Sequence, residues 1–322
     1  MTISFAPLEG ITGWIYRSIH HTMFPGVDAY YTPFWAPTAA SPLTGRGRND
    51  VLPEHNTGVP LIPQLLTNRA EDFLAAAEIL KDMGYQEVNL NLGCPSGTVV
   101  SKKKGSGFLG LPRQLEAFCD TVFARTPVRV SLKTRIGLED PEEWPELLAL
   151  FNRYPIASLI VHPRIRTDFY KAPVRMDAFA YAVDHTALPL CYNGDLSHPA
   201  DCQALMRAFP SVSRLMLGRG LVANPALVRQ LRGGPALRSQ ELRAFHDAIL
   251  AAYQETLYGD PPVLGKMKEL WTYWSHLFPQ PAKFLKAMRK AKSLSAYLAA
   301  VDGLFQDQDL LPDGGFSSGT AR

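Results

Sequence analysis

The sequence contains few cysteines, no long apolar run and no recognisable export signal. Its four cysteines in 322 residues include no C-x-x-C pair, and no cysteine or histidine spacing is typical of a zinc site. We therefore expect neither a disulfide framework nor a bound metal. No window approaches ~18 uninterrupted apolar residues, and the first ten residues lack a basic region followed by an apolar stretch. The expectation is a cytoplasmic protein that does not enter a membrane.

A large excess of positive charge is also lacking. Lys and Arg total 33 against 30 Asp and Glu, which gives a formal charge of +3, so composition alone does not indicate a nucleic-acid binder. Any basic surface must therefore be local. Hydrophobic residues make up 46% and charged residues 20% of the chain, which excludes a disordered or collagen-like protein. The length allows one barrel-sized domain and an appendage.

Short β-rich runs recur eight times in the first two thirds of the chain, and segments of helical period separate most of them. Strand alternating with helix eight times predicts an α/β protein with a (β/α)₈ TIM barrel. An open doubly wound sheet is the alternative, although no G-x-G-x-x-G follows the first run. The predicted strands cover residues 4–8, 29–34, 61–65, 88–92, 128–133, 158–162, 188–193 and 214–218.

The strand signal stops near residue 235. Residues 241–257, 263–277 and 282–305 have helical periods, and the last of these segments is broken near Ser293. We predict a barrel domain over residues 1–235 and a helical domain over 236–306. Residues 307–322 are rich in Gly and Ser at their end and are expected to form a flexible tail.

Polar residues follow seven of the eight predicted strands at the point where each strand ends. In a (β/α)₈ barrel the active site is built from these carboxyl ends. A cap or a turn explains any one of the polar residues, but seven clusters at one end favour a site. The clusters are Pro7 to Gly10, Gln64, Asn91 to Cys94, Lys133 with Arg135, His162 with Arg164, Asn193 to Asp195, and Gly218 to Gly220.

One cysteine and one lysine at these ends are candidates for chemistry. Cys94 lies between Gly93 and Pro95 in a tight turn, whereas the other cysteines fall in apolar strand or helix positions and are expected to be inert. Lys133 ends an apolar strand, where its ammonium group requires an anion or an electron-rich ring. A neighbouring carboxylate is the alternative partner for this lysine.

The last two clusters indicate a phosphate site. Each combines Gly with an amide or guanidinium donor, and barrels bind phosphate after their seventh and eighth strands. Two ordinary turns are the alternative interpretation.

The order of several motifs resembles that of the tRNA-dihydrouridine synthases. The resemblance runs from about residue 6 to residue 305 and rests on A-P-L-E-G, P-Q-L, N-L-G-C-P-S, K-T-R-I-G, V-H-P-R, Y-N-G-D-L and L-G-R-G-L. It implies an enzyme that contains FMN, is reduced by NADPH and converts particular uridines of tRNA to 5,6-dihydrouridine. The chain departs from the family where H-P-R-I-R-T-D-F-Y stands in place of H-G-R-T followed by Gln and Tyr.

The resemblance also implies roles for individual residues. Cys94 would protonate carbon 5 of the uracil while the reduced flavin delivers hydride to carbon 6. The residues implied to hold FMN are Pro7, Leu8, Glu9, Gln64, Lys133, His162, Asn193, Gly194, Asp195, Gly218 and Arg219. The residues implied to contact uracil or RNA are Asn91, Arg135, Lys102, Lys283, Lys286, Arg289 and Lys290.

Positive charge is concentrated in the predicted helical domain. Residues 261–300 contain seven Lys or Arg and one Glu, and Lys283, Lys286 and Lys290 share one helical face. We expect a monomer that binds tRNA through this face, with a solvated face as the alternative. The run from Lys102 to Lys104 is either a solvated loop or a phosphate clamp beside a flipped uridine.

Three candidate functions remain open from the sequence. One is reduction of uridine in tRNA or, as a variant, in ribosomal RNA. The second is a flavin-dependent barrel enzyme that acts on a free small molecule, and the third is an RNA-binding relative without catalysis. Candidate stacking aromatics for RNA are Phe34, Trp35 and Tyr170.

Overall fold

A computed structural model of the chain describes residues 1–43 and 45–316 and contains one parallel sheet. Its strand order is β3-β2-β1-β9-β8-β7-β6-β5-β4. The strands are β1 Thr2–Phe5, β2 Ala29–Tyr31, β3 Leu61–Ile62, β4 Gln64–Leu65, β5 Glu87–Leu92, β6 Arg129–Arg135, β7 Leu159–His162, β8 Leu190–Tyr192 and β9 Arg214–Leu217.

The sheet closes into a barrel because one predicted strand, residues 61–65, supplies the strands at both ends of the order, β3 and β4. Strands β3 and β4 are separated by Pro63 alone, and proline has no N–H group with which to continue a ladder. Leu61 pairs with Tyr30 of β2, and Gln64 pairs with Asn89 of β5. Counted as one strand, β3 and β4 complete an eight-stranded parallel barrel. The predicted (β/α)₈ fold is confirmed.

Helices follow most of the strands, as the alternating pattern predicts. The α-helices of the described residues are α1 Trp14–Met23, α2 Gly45–Val51, α3 Ala70–Asp82, α4 Gly97–Val100, α5 Pro112–Arg125, α6 Trp144–Phe151, α7 Met176–His185, α8 Pro199–Ala208, α9 Arg219–Ala223, α10 Leu227–Leu231, α11 Ser239–Thr256, α12 Asp260–Trp274, α13 Ala282–Lys290 and α14 Leu294–Asp307. No helix in this part of the chain is long and apolar enough to cross a membrane.

Helix α3 illustrates how the pattern specifies an element. Its buried face includes Phe73, Ala77 and Leu80, which recur at helical spacing. Two acidic residues lie in its first turn, where they favour the positive end of the helix dipole. Gly84, at φ +95°, follows its end in a conformation that favours glycine.

The first strand ends earlier than predicted. Strand β1 stops at Phe5 rather than Leu8, because the chain turns after it. The N–H of Leu8 donates to Thr12 Oγ1 at 2.8 Å, and the carbonyl of Leu8 accepts from the backbone N–H groups of Ile11 and Thr12. Leu8 therefore begins a turn instead of extending the sheet.

Internal contacts divide the chain into two compact units. The first unit contains residues 1–7, 28–194 and 205–216 and carries the barrel strands, while the second contains residues 8–27, 195–204 and 217–322. The predicted domains are continuous and meet at residue 235, whereas these units are built from several separate ranges. The predicted domain boundary therefore stays a prediction.

The second unit has an aromatic core. The ring of Phe245 on α11 makes edge contacts with Tyr16 and Phe24, at centroid distances of 5.4 and 5.3 Å. The Tyr297 hydroxyl bonds both Trp271 Nε1, at 2.8 Å, and His246 Nε2, at 2.7 Å. These contacts join α1 to the late helices, which the sequence pattern did not reveal.

The late helices follow the predicted segments closely. The predicted break near Ser293 is confirmed, because α13 ends at Lys290 and the Ser293 hydroxyl accepts from the N–H of Ala296 at the start of α14. Of the predicted tail, the structure describes the chain up to Phe316, whose ring packs 5.0 Å from that of His276. Residues 317–322 lie outside the described part.

Candidate active site

Side chains at the carboxyl ends of β5, β6 and β7 lie in register. Asn91 is paired with Lys133 across β5 and β6, and Arg135 is paired with His162 across β6 and β7. Partners in a parallel ladder point to the same face, so each pair shares a layer. Cys94 follows the end of β5 by two residues.

The loop that carries Cys94 is held from both sides. Asn91 Oδ1 accepts hydrogen bonds from the N–H groups of Gly93, at 3.0 Å, and Cys94, at 2.9 Å. The carbonyl of Cys94 accepts from both the N–H and the hydroxyl of Ser106, at 3.1 and 2.8 Å. These hydrogen bonds fix the backbone of Cys94, whose side chain is half-buried.

Gly105 is required next to this loop. Its φ of +56° favours glycine, and a Cβ atom at this position would lie 2.9 Å from the carbonyl oxygen of Cys94. A larger residue would therefore displace Cys94 itself.

The other three cysteines are placed as inert thiols. Burial raises the pKa of each thiol to about 12, which keeps it protonated and unreactive at neutral pH. These residues are Cys119, Cys191 and Cys202.

A chain of buried amides fixes Asn91 inside the barrel. Asn91 Nδ2 donates to Gln64 Oε1 at 2.8 Å, and Gln64 Nε2 donates to Asn89 Oδ1 at 2.8 Å. Asn89 Nδ2 in turn donates to Ser131 Oγ at 2.9 Å. Because each amide can satisfy its neighbour in one orientation only, the chain directs Asn91 Oδ1 toward the Cys94 loop.

Lys133 is a half-buried cation without a partner. In residues 1–43 and 45–316, no group lies within hydrogen-bond or ion-pair distance of its ammonium. Burial, assisted by the nearby charge of Arg135, lowers the pKa of Lys133 to about 8. The alternative of a carboxylate partner is therefore wrong for the described residues, and the site suits an electron-rich ring or an anion.

Arg135 is a fully buried brace between two loops. Its Nε donates to the carbonyl of Gly93 at 2.9 Å, and its two terminal nitrogens donate to the carbonyls of Ile165 and Phe169, each at 2.8 Å. Its guanidinium carbon lies 5.2 Å from the ring centroid of Tyr170. The predicted contact of Arg135 with RNA stays a prediction.

His162 is buried and held in one tautomer. Arg164 lies 3.0 Å from His162 Nε2, and because a guanidinium can only donate, Nε2 must be the accepting nitrogen. The ring of Tyr170 stacks on His162 at a centroid distance of 5.8 Å.

The remaining predicted cofactor residues of the first unit follow two other strands, β1 and β8. Pro7 is half-buried after β1. Asn193 Nδ2 donates to the carbonyl of Met216 at 2.8 Å, which ties the ends of β8 and β9 together. A Cβ atom at Gly194 would lie 3.0 Å from Val174 and from the Tyr192 hydroxyl.

Five predicted cofactor residues belong to the second unit. Arg219 pairs with Asp195 at 2.8 Å, and its guanidinium carbon lies 4.8 Å from the ring of Phe316. Asp195 has a φ of +42°. Gly218 precedes the short helix α9. Leu8 is half-buried and Glu9 is exposed.

The predicted basic face of α13 is exposed, as expected. Met288 is the buried residue of this helix, and the cations lie on its outer side. The exposed cations are Lys283, Lys286, Arg289 and Lys290. Two other lysines of the basic segment bind backbone carbonyls instead: Lys266 reaches Gly10 at 2.8 Å, and Lys268 reaches Ala291 at 2.6 Å.

Lys102 is exposed on a shaped turn. Asn68 Nδ2 donates to the carbonyls of Lys102, at 3.2 Å, and Lys103, at 3.1 Å. Lys103 adopts a φ of +55°. The turn therefore presents its lysines in a defined arrangement, and their contact with RNA stays a prediction.

Sequence reasoning missed Asn89 as a site residue. Asn89 and Asn91 are two apart in a strand, so both point into the barrel. The N-L-N spacing of residues 89–91 could have indicated this role, because alternate residues of a strand face the same side. It identifies a buried amide pair once the strand is recognised.

These features define an enzyme of the (β/α)₈ barrel class, with a loop-held cysteine and an unpartnered lysine at adjoining strand ends. Residues 4–308 match the family described as dihydrouridine synthase (Dus), and the chain belongs to that family. The predicted resemblance is confirmed.

The chain is similar to curated relatives over most of its length. A tRNA-dihydrouridine(16) synthase of Ralstonia nicotianae is 27% identical over 92% of this chain and 94% of its own. A tRNA-dihydrouridine synthase B of Proteus vulgaris is 27% identical over 70% of this chain and 69% of its own. Among solved structures, morphinone reductase has a TM-score of 0.52 at 15% identity and covers 73% of this chain and 86% of its own. This likeness concerns the fold.

Proposed function

We propose that the protein is an FMN-dependent tRNA-dihydrouridine synthase that reduces particular uridines of tRNA with NADPH as reductant. Membership of the dihydrouridine synthase family and the names of its relatives support this function. The observation that carries it is the loop-held Cys94, which follows β5, together with Lys133 near the end of the paired strand β6, a lysine without a hydrogen-bond or ion-pair partner in the described residues. We propose further that the enzyme acts in the cytoplasm as a monomer.

The residues around Lys133 fit a flavin. A partly desolvated ammonium group without an acceptor in the described residues favours the electron-rich pyrimidine edge of the ring. When bound, reduced flavin supplies the hydride that adds to carbon 6 of uracil. Lys133 would hold the pyrimidine edge, with Gln64 and His162 as further proposed contacts.

Cys94 would supply the proton. Addition of hydride at carbon 6 and of a proton at carbon 5 saturates the 5,6 double bond of uracil. The half-buried thiol of Cys94 would donate this proton and recover one from solvent. Asn91 and Ser106 fix the backbone of Cys94 before the substrate binds, which reduces the loss of entropy on reaching a reactive geometry.

The function is tested on tRNA from cells that lack this gene product. The purified protein, FMN and NADPH are added, and dihydrouridine is measured by mass spectrometry of nuclease fragments. We expect dihydrouridine at defined tRNA positions, which also identifies the target uridine. Equal reduction of free uridine nucleotides would support the small-molecule alternative. Absence of both product and flavin absorbance would contradict an enzymatic role.

Charge reversal on α13 is expected to weaken tRNA binding. In Lys286→Glu/Lys290→Glu, two exposed cations of one helical face become anions. If each lysine contacts one phosphate, the slope of log affinity against log salt concentration should fall by about 2. The slope is measured by filter binding between low and physiological salt.

A matched pair of exposed cations controls for total charge. Lys81 and Arg207 lie in the last turns of the barrel helices α3 and α8. The double variant Lys81→Glu/Arg207→Glu has the same net charge, and we expect it to keep the original slope. Equal slopes for both double variants would mean that the α13 face does not contact RNA.

A further inference from the structure

The loop between β7 and α7, residues 163–175, has two exposed rings, Phe169 and Tyr170, and the backbone of Phe169 is strained. Phe169 has φ 49° and ψ −105°, a conformation open to glycine and unfavourable for an aromatic residue. Its side chain is nevertheless 41% exposed. Burial of the ring therefore does not explain the strain, which requires another reason.

Hydrogen bonds from the buried Arg135 and an ion pair within the loop hold this conformation. Arg135 donates to the carbonyls of Ile165 and Phe169, each at 2.8 Å. The carboxylate of Asp168 accepts from the N–H of Ile165 at 2.9 Å and pairs with Arg175. Several contacts therefore fix the backbone of the loop, while the side chain of Phe169 stays exposed to solvent.

The same brace brings the backbone of Phe169 near the loop that carries Cys94. The guanidinium of Arg135 binds the carbonyl of Phe169 and also, at 2.9 Å, the carbonyl of Gly93, which directly precedes Cys94. One guanidinium group and its two hydrogen bonds therefore separate the carbonyl oxygen of Phe169 from that of Gly93.

The loop around the ring is positively charged. It contains four cations and one carboxylate, that of Asp168, and this carboxylate is already paired with Arg175. The guanidinium carbon of the half-buried Arg166 lies 5.7 Å from the Phe169 ring. An exposed ring beside a cation suits a nucleic-acid base with its phosphate.

We propose that Phe169 stacks on the RNA base adjacent to the uridine that is reduced, and so caps the stack from which that uridine is withdrawn. This inference rests on the proposed function. A uridine must leave its base stack to reach Cys94, and the neighbouring base then has an uncovered face. An aromatic side chain covers such a face whatever the base, because every base can stack.

Two substitutions separate stacking from a structural role. In Phe169→Gly the backbone relaxes without strain, so the midpoint of thermal unfolding should stay level or rise. Its kcat/KM for tRNA should nevertheless fall roughly 10- to 100-fold, the range for loss of one stacked base. Phe169→Trp keeps a stacking ring and should retain kcat/KM near that of the unaltered protein.

The rate of dihydrouridine formation is measured with tRNA from cells lacking the gene product, and NADPH oxidation without RNA is measured in parallel. Tyr181→Ala removes a half-buried ring from α7 of the same unit and should leave kcat/KM unchanged. Full activity of Phe169→Gly, or activity of Phe169→Trp as low as that of the glycine variant, would overturn the inference.

Failure of the proposed function is recognised separately. If the unaltered protein forms no dihydrouridine, the catalytic proposal fails, but affinity for the same tRNA still tests the ring. Weaker tRNA binding by Phe169→Gly than by Tyr181→Ala would then support stacking, and equal binding would overturn it.

Discussion

Cys94→Ala is expected to lower dihydrouridine formation about 100- to 10,000-fold, the usual contribution of a positioned proton donor. Alanine removes the thiol but leaves the N–H that Asn91 binds and the carbonyl that Ser106 binds. The loop should therefore keep its shape, and binding of FMN and tRNA should persist. The measurement is oxidation of pre-reduced flavin on mixing with tRNA in a single turnover.

Loss of a thiol as such is controlled by Cys202→Ala, which removes a fully buried thiol from α8. This variant should turn over normally. An undiminished single-turnover rate in Cys94→Ala would contradict the role of Cys94. Loss of flavin binding together with the rate would instead indicate that Cys94 supports the fold of its loop.

The fold was predictable because its signals are local. The strands are short β-rich runs that turn residues delimit, and Gly84 marks the end of a helix by its own conformation. The N-L-G-C-P motif is equally local, since Asn91, Gly93 and Cys94 form their hydrogen bonds within four residues. Such features can be inferred without knowing the distant parts of the chain.

The contacts that shape the site are distant in the sequence and were not predictable. Arg135 bonds Gly93, 42 residues before it, and Phe169, 34 residues after it. No pattern of spacing distinguishes this brace from an arginine at the surface. The strain at Phe169 follows from the brace, so it could be recognised only in the folded structure.

Lys133→Met is expected to have opposite effects on stability and on flavin binding. Methionine has a similar length and no charge, so it removes an ammonium that burial disfavours. A pKa lowered from 10.5 to about 8 corresponds to at most about 3 kcal/mol. Partial exposure reduces the expected gain in the free energy of unfolding of the flavin-free protein to about 1–2 kcal/mol at pH 7.

The pH dependence follows from the direction of this shift. Below pH 8 the folded protein carries the disfavoured ammonium, and between pH 8 and 10.5 the unfolded chain binds more protons than the folded one. The stability of the unaltered protein should therefore rise through this interval relative to Lys133→Met. The difference is measured by urea unfolding at several pH values, with the exposed Lys81→Met on α3 as control.

Binding of FMN supplies the decisive comparison. Loss of a charge-assisted hydrogen bond should weaken FMN affinity about 10- to 100-fold, measured by quenching of flavin fluorescence. We expect Lys133→Met to be more stable than the unaltered protein without flavin and to bind FMN more weakly. Together these results would show that Lys133 binds the flavin and lowers the stability of the flavin-free fold. Unchanged FMN affinity would show that the ammonium of Lys133 does not contact the flavin, whatever its effect on unfolding.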